Sequence, residues 1–275
     1  MLNSKLGNIK NIKLSAFAIL TTICIFACSG TTTSNGGNES ASNGSSAASS
    51  DVIGDMYFEY KTNTNSNLKA SEKMNIQIDT KMYISAKGDT RMEMSTETSY
   101  NGKNASIPLV VIGHSDKPTE SIYIDDSAKT FTVNHFADSN LVTGMSRQTI
   151  SVTKVGEEKI LGFKSVHARI VTKSSFGGSF SLVDTMDIWR SNDVPVVASV
   201  KNMLDHFETK SGSGLFSPDV VSQLKQMGCE GFMTKMEIHS EKSTVVEELV
   251  KVEHRSFPAS MFEIPAGYKE DKSGM

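Results

Sequence analysis

The chain has 275 residues, with 28 basic and 31 acidic side chains, 38% hydrophobic residues and a formal net charge of −3. That length is enough for one sizeable core, and a mildly acidic balance without a basic block argues against nucleic-acid binding. Of the three cysteines, Cys24 and Cys28 fall in the N-terminal apolar segment treated below, which leaves Cys229 as the only thiol of the domain and no intrachain disulfide framework.

From Met1 to Lys13 the only charges are Lys5, Lys10 and Lys13, and Leu14 to Ala27 carries none. A short basic region before an apolar one is the pattern of a secretory signal peptide. The apolar run has 14 residues, whereas a membrane-crossing helix needs about 20. The run ends at Ala27, and "IFAC" resembles the lipobox of bacterial lipoproteins, although Phe26 is bulkier than the usual residue there. That resemblance implies signal cleavage after residue 27 and lipidation of Cys28, which becomes the new N-terminus. Cys24 is a poorer choice because Ile23 before it is large, and the plainer alternative is a soluble secreted protein cleaved nearby. One acyl chain holds a protein to a membrane only marginally, whereas two or three on one cysteine anchor it.

Residues 29–51 consist of Ser, Thr, Asn, Gly and Ala with Glu39 and Asp51 as the only charges. Such a segment cannot bury enough to offset the entropy of ordering, so residues 28–51 are expected to be a lipidated cysteine and flexible tether with an r.m.s. reach of about 25 Å. The folded domain is then residues 52–275, and loss of the three signal lysines leaves the mature chain, tether included, with 25 basic against 31 acidic side chains.

Strict alternation of apolar and polar residues marks half-buried strands. "MYFEYK" puts Met56, Phe58 and Tyr60 on one face. In "KMNIQIDTKMYIS", Met74, Ile76, Ile78, Met82 and Ile84 share a face; a turn at Gly88 leads to "RMEMSTE", with Met92 and Met94 inward. "ESIYIDD" and "KTFTVNHF" flank a turn at Asp125 to Lys129, and "TISVTKVG" and "KSVHARIVTK" flank "EEKILGF". "FSLVDTMDIWRS", "GFMTKMEIHSE" and "STVVEELVKVEHRS" complete about ten strands joined by short turns, which specify an antiparallel meander.

Helices are few. "PVVASVKNMLDHFE" is a weak candidate, followed by a "TKSGSG" loop. "SPDVVSQLKQMG" is well marked, with Ser217 as N-cap, Pro218 first, Gly228 past the end, and a stripe of Val220, Val221, Leu224 and Met227. "FEIPAGYKE" is expected to be the final edge strand, with Phe262 and Ile264 inward and Tyr268 closing one end. The fold class is therefore mainly β (α+β): a large curved antiparallel sheet or incomplete β-barrel with one or two helices as a lid.

The ending "FEIPAGYKE", the "EEKILGFKS" turn and the "DIWRS" strand end resemble a group of bacterial exported proteins known only as a domain of unknown function. That group is similar in architecture to the lipoprotein-carrier (LolA/LolB-like) superfamily, which implies an incomplete barrel whose helices cover an apolar cavity. Members often carry a cysteine on the strand after the Leu-Gly-aromatic turn; here Ser165 and Val166 stand in its place.

No catalytic constellation is legible. His114, His135, His167, His206, His239 and His254 show no metal-ligand spacing, and neither His-Glu-x-x-His nor Gly-x-Ser-x-Gly occurs. Glu247 and Glu248, like Asp125 and Asp126, point to opposite faces of a strand. No enzyme activity, cofactor or metal is expected. Trp189, the single tryptophan, reads as a core cap or as a marker of the sheet rim. Methionine is the informative residue: 14 occur, eight of them in predicted strands, where β-branched residues are the usual choice. Such side chains either pad a loose core or line a deformable cavity.

The expectation is a non-catalytic lipoprotein of the cell envelope, lipid-anchored through Cys28, whose half-barrel takes a hydrophobic ligand: an acyl chain or a lipidated partner. The expected lining is Met74, Ile76, Met82, Met92, Met94 and Phe131, with Val220, Leu224 and Met227 on the lid. Ser29 after the lipidated cysteine is compatible with the outer membrane, on its periplasmic or surface face. The rival is an envelope interaction module with a solid core that binds through its loops and polar face.

Overall fold

The computed structural model describes residues 54–69, 72–100, 103–117, 119–135, 148–176, 180–197, 200–201 and 218–272. The signal segment 1–27, Cys28, the tether, His206, Ser217, the loop 209–214 and most of the weaker helix lie outside the described residues.

Among the described residues, twelve strands form one sheet: β1 (Asp55–Lys69), β2 (Glu72–Ile84), β3 (Thr90–Tyr100), β4 (Lys103–Gly113), β5 (Glu120–Asp125), β6 (Thr130–His135), β7 (Gln148–Ile160), β8 (Phe163–Phe176), β9 (Phe180–Ser191), β10 (Phe232–His239), β11 (Ser243–Arg255) and β12 (Lys269–Glu270). Their order is β12-β6-β5-β4-β3-β2-β1-β11-β10-β9-β8-β7. The sheet is thus two meanders, β1 to β6 and β7 to β11, joined where β1 pairs with β11. All pairs are antiparallel except β12 with β6, and the sheet does not close into a barrel.

Local chemistry accounts for the turns. The β7–β8 hairpin turns at Leu161 and Gly162, both at positive φ (51° and 85°), the backbone that a two-residue turn between twisted strands requires. The predicted "EEKILGF" turn is therefore shorter than expected, and its first four residues continue β7. The helix α1 (Pro218–Gln226) begins at the proline as expected. It ends with the Gly228 N–H donating to the Lys225 carbonyl and the Cys229 N–H to the Leu224 carbonyl, both 2.9 Å. That pair of bonds is a Schellman closure, and Leu224 and Cys229 share one apolar cluster, as the motif favours.

Two elements depart from the sequence reading. β4 was not anticipated, because "SIPLVVIG" contains Pro108 and then a continuous apolar run. Pro108 sits in the half of β4 that pairs with β3 but not with β5, where a missing donor is tolerated. Val110 to Gly113 are all buried, so alternation disappears. The C-terminal segment is mostly not a strand: a 3-10 turn (Ala259–Phe262) and a bend precede β12, which has two residues and runs parallel to β6. It has to travel from β11 to the far edge, and crossing a sheet excludes pairing with it. It does place β12 at the sheet edge, with Phe262 buried and Ile264 and Tyr268 packed on apolar residues.

Register assigns the two faces. Phe58, Met82, Met92 and Val111 stand in one row across β1 to β4, and the adjacent row of Tyr57, Tyr83, Arg91 and Ile112 points to the other side. On the first face, Met56, Phe58, Ile78, Met92 and Leu249 pack with Val194, Val197 and Val200. Farther along it, Val152, Ala168, Ile170 and Ile188 pack under Val220 and Leu224 of α1. On the opposite face, Val110, Ile112, Ile122 and Ile124 are covered by Ile264 and Tyr268. Tyr83 meets Phe257 edge-on at 5.3 Å, and the Arg91 guanidinium donates to the Met261 carbonyl at 3.2 Å.

Candidate functional site

The helix-covered face carries most of the residues singled out from sequence, divided between two places. Met74, Ile76, Met82, Met92 and Met94 come together on β2 and β3; Met74 is half-buried and the others are buried. Val220 and Leu224, with Met227 half-buried beside them, lie instead over β7 to β10. Val194, Val197 and Val200 belong to the same buried cluster as these methionines, and the Val197 N–H donates to the Met56 sulfur at 3.2 Å. Phe131 is not brought to this face. It pairs with Ile124 and packs with Val133, Ile264 and Tyr268 on the opposite side. The reason is the run of four buried residues in β4, which hides from sequence the side on which each one points.

Between the two apolar regions runs a polar strip that sequence reasoning passed over. Three rows cross β11, β1, β2 and β3: Leu249, Tyr60, Thr80 and Met94; Glu247, Thr62, Ile78 and Thr96; Val245, Thr64, Ile76 and Thr98. Glu247 and the five threonines are all buried. The Thr62 hydroxyl donates to a Glu247 carboxyl oxygen at 3.1 Å, and among the described residues that is the carboxyl's only hydrogen bond. Burial pushes the Glu247 pKa up to about 7, against the opposing pull of Thr62. Burial and the neighbouring Glu247 carboxyl raise the Tyr60 phenol well above its ordinary range, and its hydroxyl donates to the Met233 carbonyl at 3.2 Å. The hydroxyls of Thr64 and Thr80 are buried without a hydrogen-bond partner, as is that of Thr172 on the same face of β8. The signal for this strip was present in "TVVEELV": if Val245 and Leu249 point inward, Glu247 does too.

The opposite face offers two other features. A groove of about 760 Å3 runs between the side-chain rows Asn63, Gln77, Glu97, Ser106 and Asn65, Asn75, Ser99, Asn104 at the distal ends of β1 to β4. On β8 to β10, the His167 ring meets the Asp187 carboxyl at 2.7 Å and stacks on Trp189 at 4.0 Å between centroids. Arg169 donates two bonds to Asp187, and the Lys235 ammonium sits 4.5 Å from the Trp189 ring centre. Burial alone would raise the Asp187 pKa, but hydrogen bonds from Arg169 and His167 hold it below the usual value. Trp189 therefore caps an electrostatic cluster and not an apolar one.

Of the remaining histidines, His135 and His239 are exposed strand residues beside Glu120 and Glu237, and His254 is exposed near the end of β11. His114 lies 4.0 Å from Asp89. Among the described residues, no group of three or more His, Cys, Asp or Glu is arranged to hold a metal ion. None of the described helices is long and apolar enough to cross a membrane. Cys229 is buried, its thiol 3.4 Å from the Val166 carbonyl, and the Ser165 hydroxyl bonds to that of Thr234 at 2.9 Å.

One family model matches the chain. The family described as "Domain of unknown function (DUF4412)" matches residues 66–268. No curated protein matches the chain significantly. Among solved structures, a Vibrio parahaemolyticus domain named for outer membrane lipoprotein sorting is similar at 8% identity and a TM-score of 0.29, over 78% of this chain and 91% of that one. A DUF1329 family protein from Desulfovibrio piger is similar at 11% identity and a TM-score of 0.19, with the same coverage.

Proposed function

The chain belongs to the DUF4412 family, a membership that assigns no activity, so from the geometry of its helix-covered face we propose that it binds a hydrophobic ligand there, an acyl chain or a lipidated partner, without catalysis. One observation carries this reading: Thr64, Thr80 and Thr172 bury unpartnered hydroxyls on a face built largely from methionine, aliphatic and aromatic side chains. Each such group costs about 1–3 kcal/mol in a closed core, and a ligand with a polar end and an oily chain would relieve that cost at the hydroxyl its polar end reaches. Methionine at Met82, Met92 and Met94 suits such a partner, because unbranched thioethers repack around different shapes.

Native mass spectrometry of the purified protein is expected to show bound lipid, and a fluorescent fatty acid should bind saturably and be displaced by lipid. A protein that stays empty and takes up no probe removes the reading. The "IFAC" segment further supports an anchor at Cys28 and a cell-envelope location at the outer membrane, on its periplasmic or surface face. Cys28→Ser is expected to move the protein from the membrane fraction to the soluble fraction; a protein that remains membrane-bound contradicts the anchor.

A second reading has its own observation. The 760 Å3 groove on the opposite face is walled by amides and hydroxyls with Glu97 as its single charge, which suits a polar partner and an interaction module. An empty apolar face would leave this as the surviving function.

A further inference from the structure

We propose that the polar groove on the opposite face of the sheet is a glycan site, and that its occupant is a linear, uncharged, β-1,4-linked polysaccharide. The proposal deepens the second reading, of a polar partner, and stands apart from ligand binding on the helix-covered face. The groove crosses β1, β2, β3 and β4 between two rows of side chains. Three strand spacings of ~4.8 Å make it about 14 Å long, and two residues along each strand set its walls about 7 Å apart. Between the walls the floor is main chain, because Thr64, Ile76 and Thr98 turn their side chains into the other face, where they are buried. Five amides stand in the walls: Asn63, Asn65, Asn75, Gln77 and Asn104. Asparagine is depleted in strands, yet four gather here on β1, β2 and β4. Farther along the same face the strands carry the pattern of a merely solvated surface, opposite charges side by side at Glu59, Lys81 and Glu93. Among the described residues, Gln77 alone of the five amides has a side-chain hydrogen bond, to Asp79 at 3.3 Å.

That chemistry selects the occupant. Each amide offers two N–H donors and a carbonyl acceptor, and a sugar hydroxyl is likewise both donor and acceptor. Glu97 is the single charge of the lining and no Lys or Arg joins it, so a phosphate- or carboxylate-rich polymer finds no counter-charge. The volume of about 760 Å3 falls within the ~300–1,000 Å3 of ligand sites, which are mostly apolar, whereas these walls are not. A β-1,4-linked glycan is a flat ribbon with C–H ring faces and hydroxyls along both edges. Laid in the groove, it sets a ring face on the main-chain floor and its hydroxyl edges against the two amide walls. An α-1,4-linked chain coils and cannot meet both walls at once. Among the described residues, β5 pairs only with Val110, Val111 and Ile112 of β4. The groove is therefore open at the β4 end, and a long chain can run on past the sheet.

The test titrates the full-length protein with cellotetraose, tetra-N-acetylchitotetraose and maltotetraose by calorimetry. At least one of the two β-1,4-linked tetramers is expected to bind saturably and at least ~10-fold tighter than maltotetraose. Its affinity should change by less than ~2-fold between about 0.1 and 1 M salt, as befits an uncharged ligand. Asn75→Ala alters an exposed side chain without a hydrogen bond among the described residues. It is expected to melt as wild type does and to lose ~10-fold in glycan affinity, with uptake of a fluorescent fatty acid unchanged. No saturable binding of either β-1,4-linked tetramer, equal binding of maltotetraose, or undiminished affinity in Asn75→Ala overturns the proposal. A photo-crosslinking side chain placed at Asn75 in cells separates that failure from failure of the second reading. A protein adduct without glycan binding overturns the proposal and keeps the groove as an interaction surface, and no adduct of any kind removes that reading as well.

Discussion

At the scale of single residues, Glu247 and Asp187 act on stability in opposite directions. The Glu247 pKa lies above its unfolded value, raised by burial from 4.5 to about 7. In the folded chain it holds its proton where the unfolded chain has already lost its own, so its contribution is complete below pH 4.5 and is lost as pH rises to about 7. The loss amounts to about 3 kcal/mol. Asp187 runs the other way: its depressed value adds stability above the unfolded pKa, and acid removes it. Glu247→Gln is therefore expected to raise the melting temperature at pH 8 by about 5–10 °C and to leave it nearly unchanged at pH 4. Circular dichroism melts at both pH values check this, and equal shifts at both would contradict it. The inward direction of Glu247 was legible from the alternation of Val245, Glu247 and Leu249. Its bond to Thr62 was not, because the two residues are 185 positions apart and only the β1–β11 register unites them.

At the scale of elements, α1 shows how far local signals reach. Pro218, the apolar stripe and Gly228 specify where it starts and stops, yet nothing local says which strands it covers. It lies on β7 to β10, away from the methionines of β2 and β3. Leu224 is fully buried there among Val152, Ala168, Ile170 and Ile188. Leu224→Ala is expected to destabilise the protein by about 2–5 kcal/mol, read from a denaturant titration. A change below 1 kcal/mol would mean that the helix is a loose cover and not part of the core. Strands with one wet face, such as β2 and β3, were legible through alternation. β4 was not, because burial on both faces erases the pattern, and Phe131 was misplaced for the same reason.

At the scale of the whole molecule, the order of strands was beyond the sequence. Hairpins announce themselves through turn residues, but the β1–β11 pairing joins strands at opposite ends of the domain and leaves no local trace. The same holds for the crossing of the C-terminal segment over β1 to β5. The free edges are guarded differently. β12 and the segment before it cap β6, with Tyr268 bonded to Lys129 at 2.9 Å and also to Asp126. β7 at the other end has an irregularity between Lys154 and Gly156 and carries the exposed charges Lys154, Glu157, Glu158 and Lys159. Bulges and charges of this kind discourage edge-to-edge aggregation.

The seam between β1 and β11 also sets the schedule of folding. A polypeptide made from its N-terminus can assemble the first six strands early, but β1 then waits, its outer hydrogen-bonding groups bare, until the chain from residue 136 through β11 has appeared. During that interval the half-built sheet displays a long sticky border flanked by Phe58 and Met56, a template for any passing extended chain.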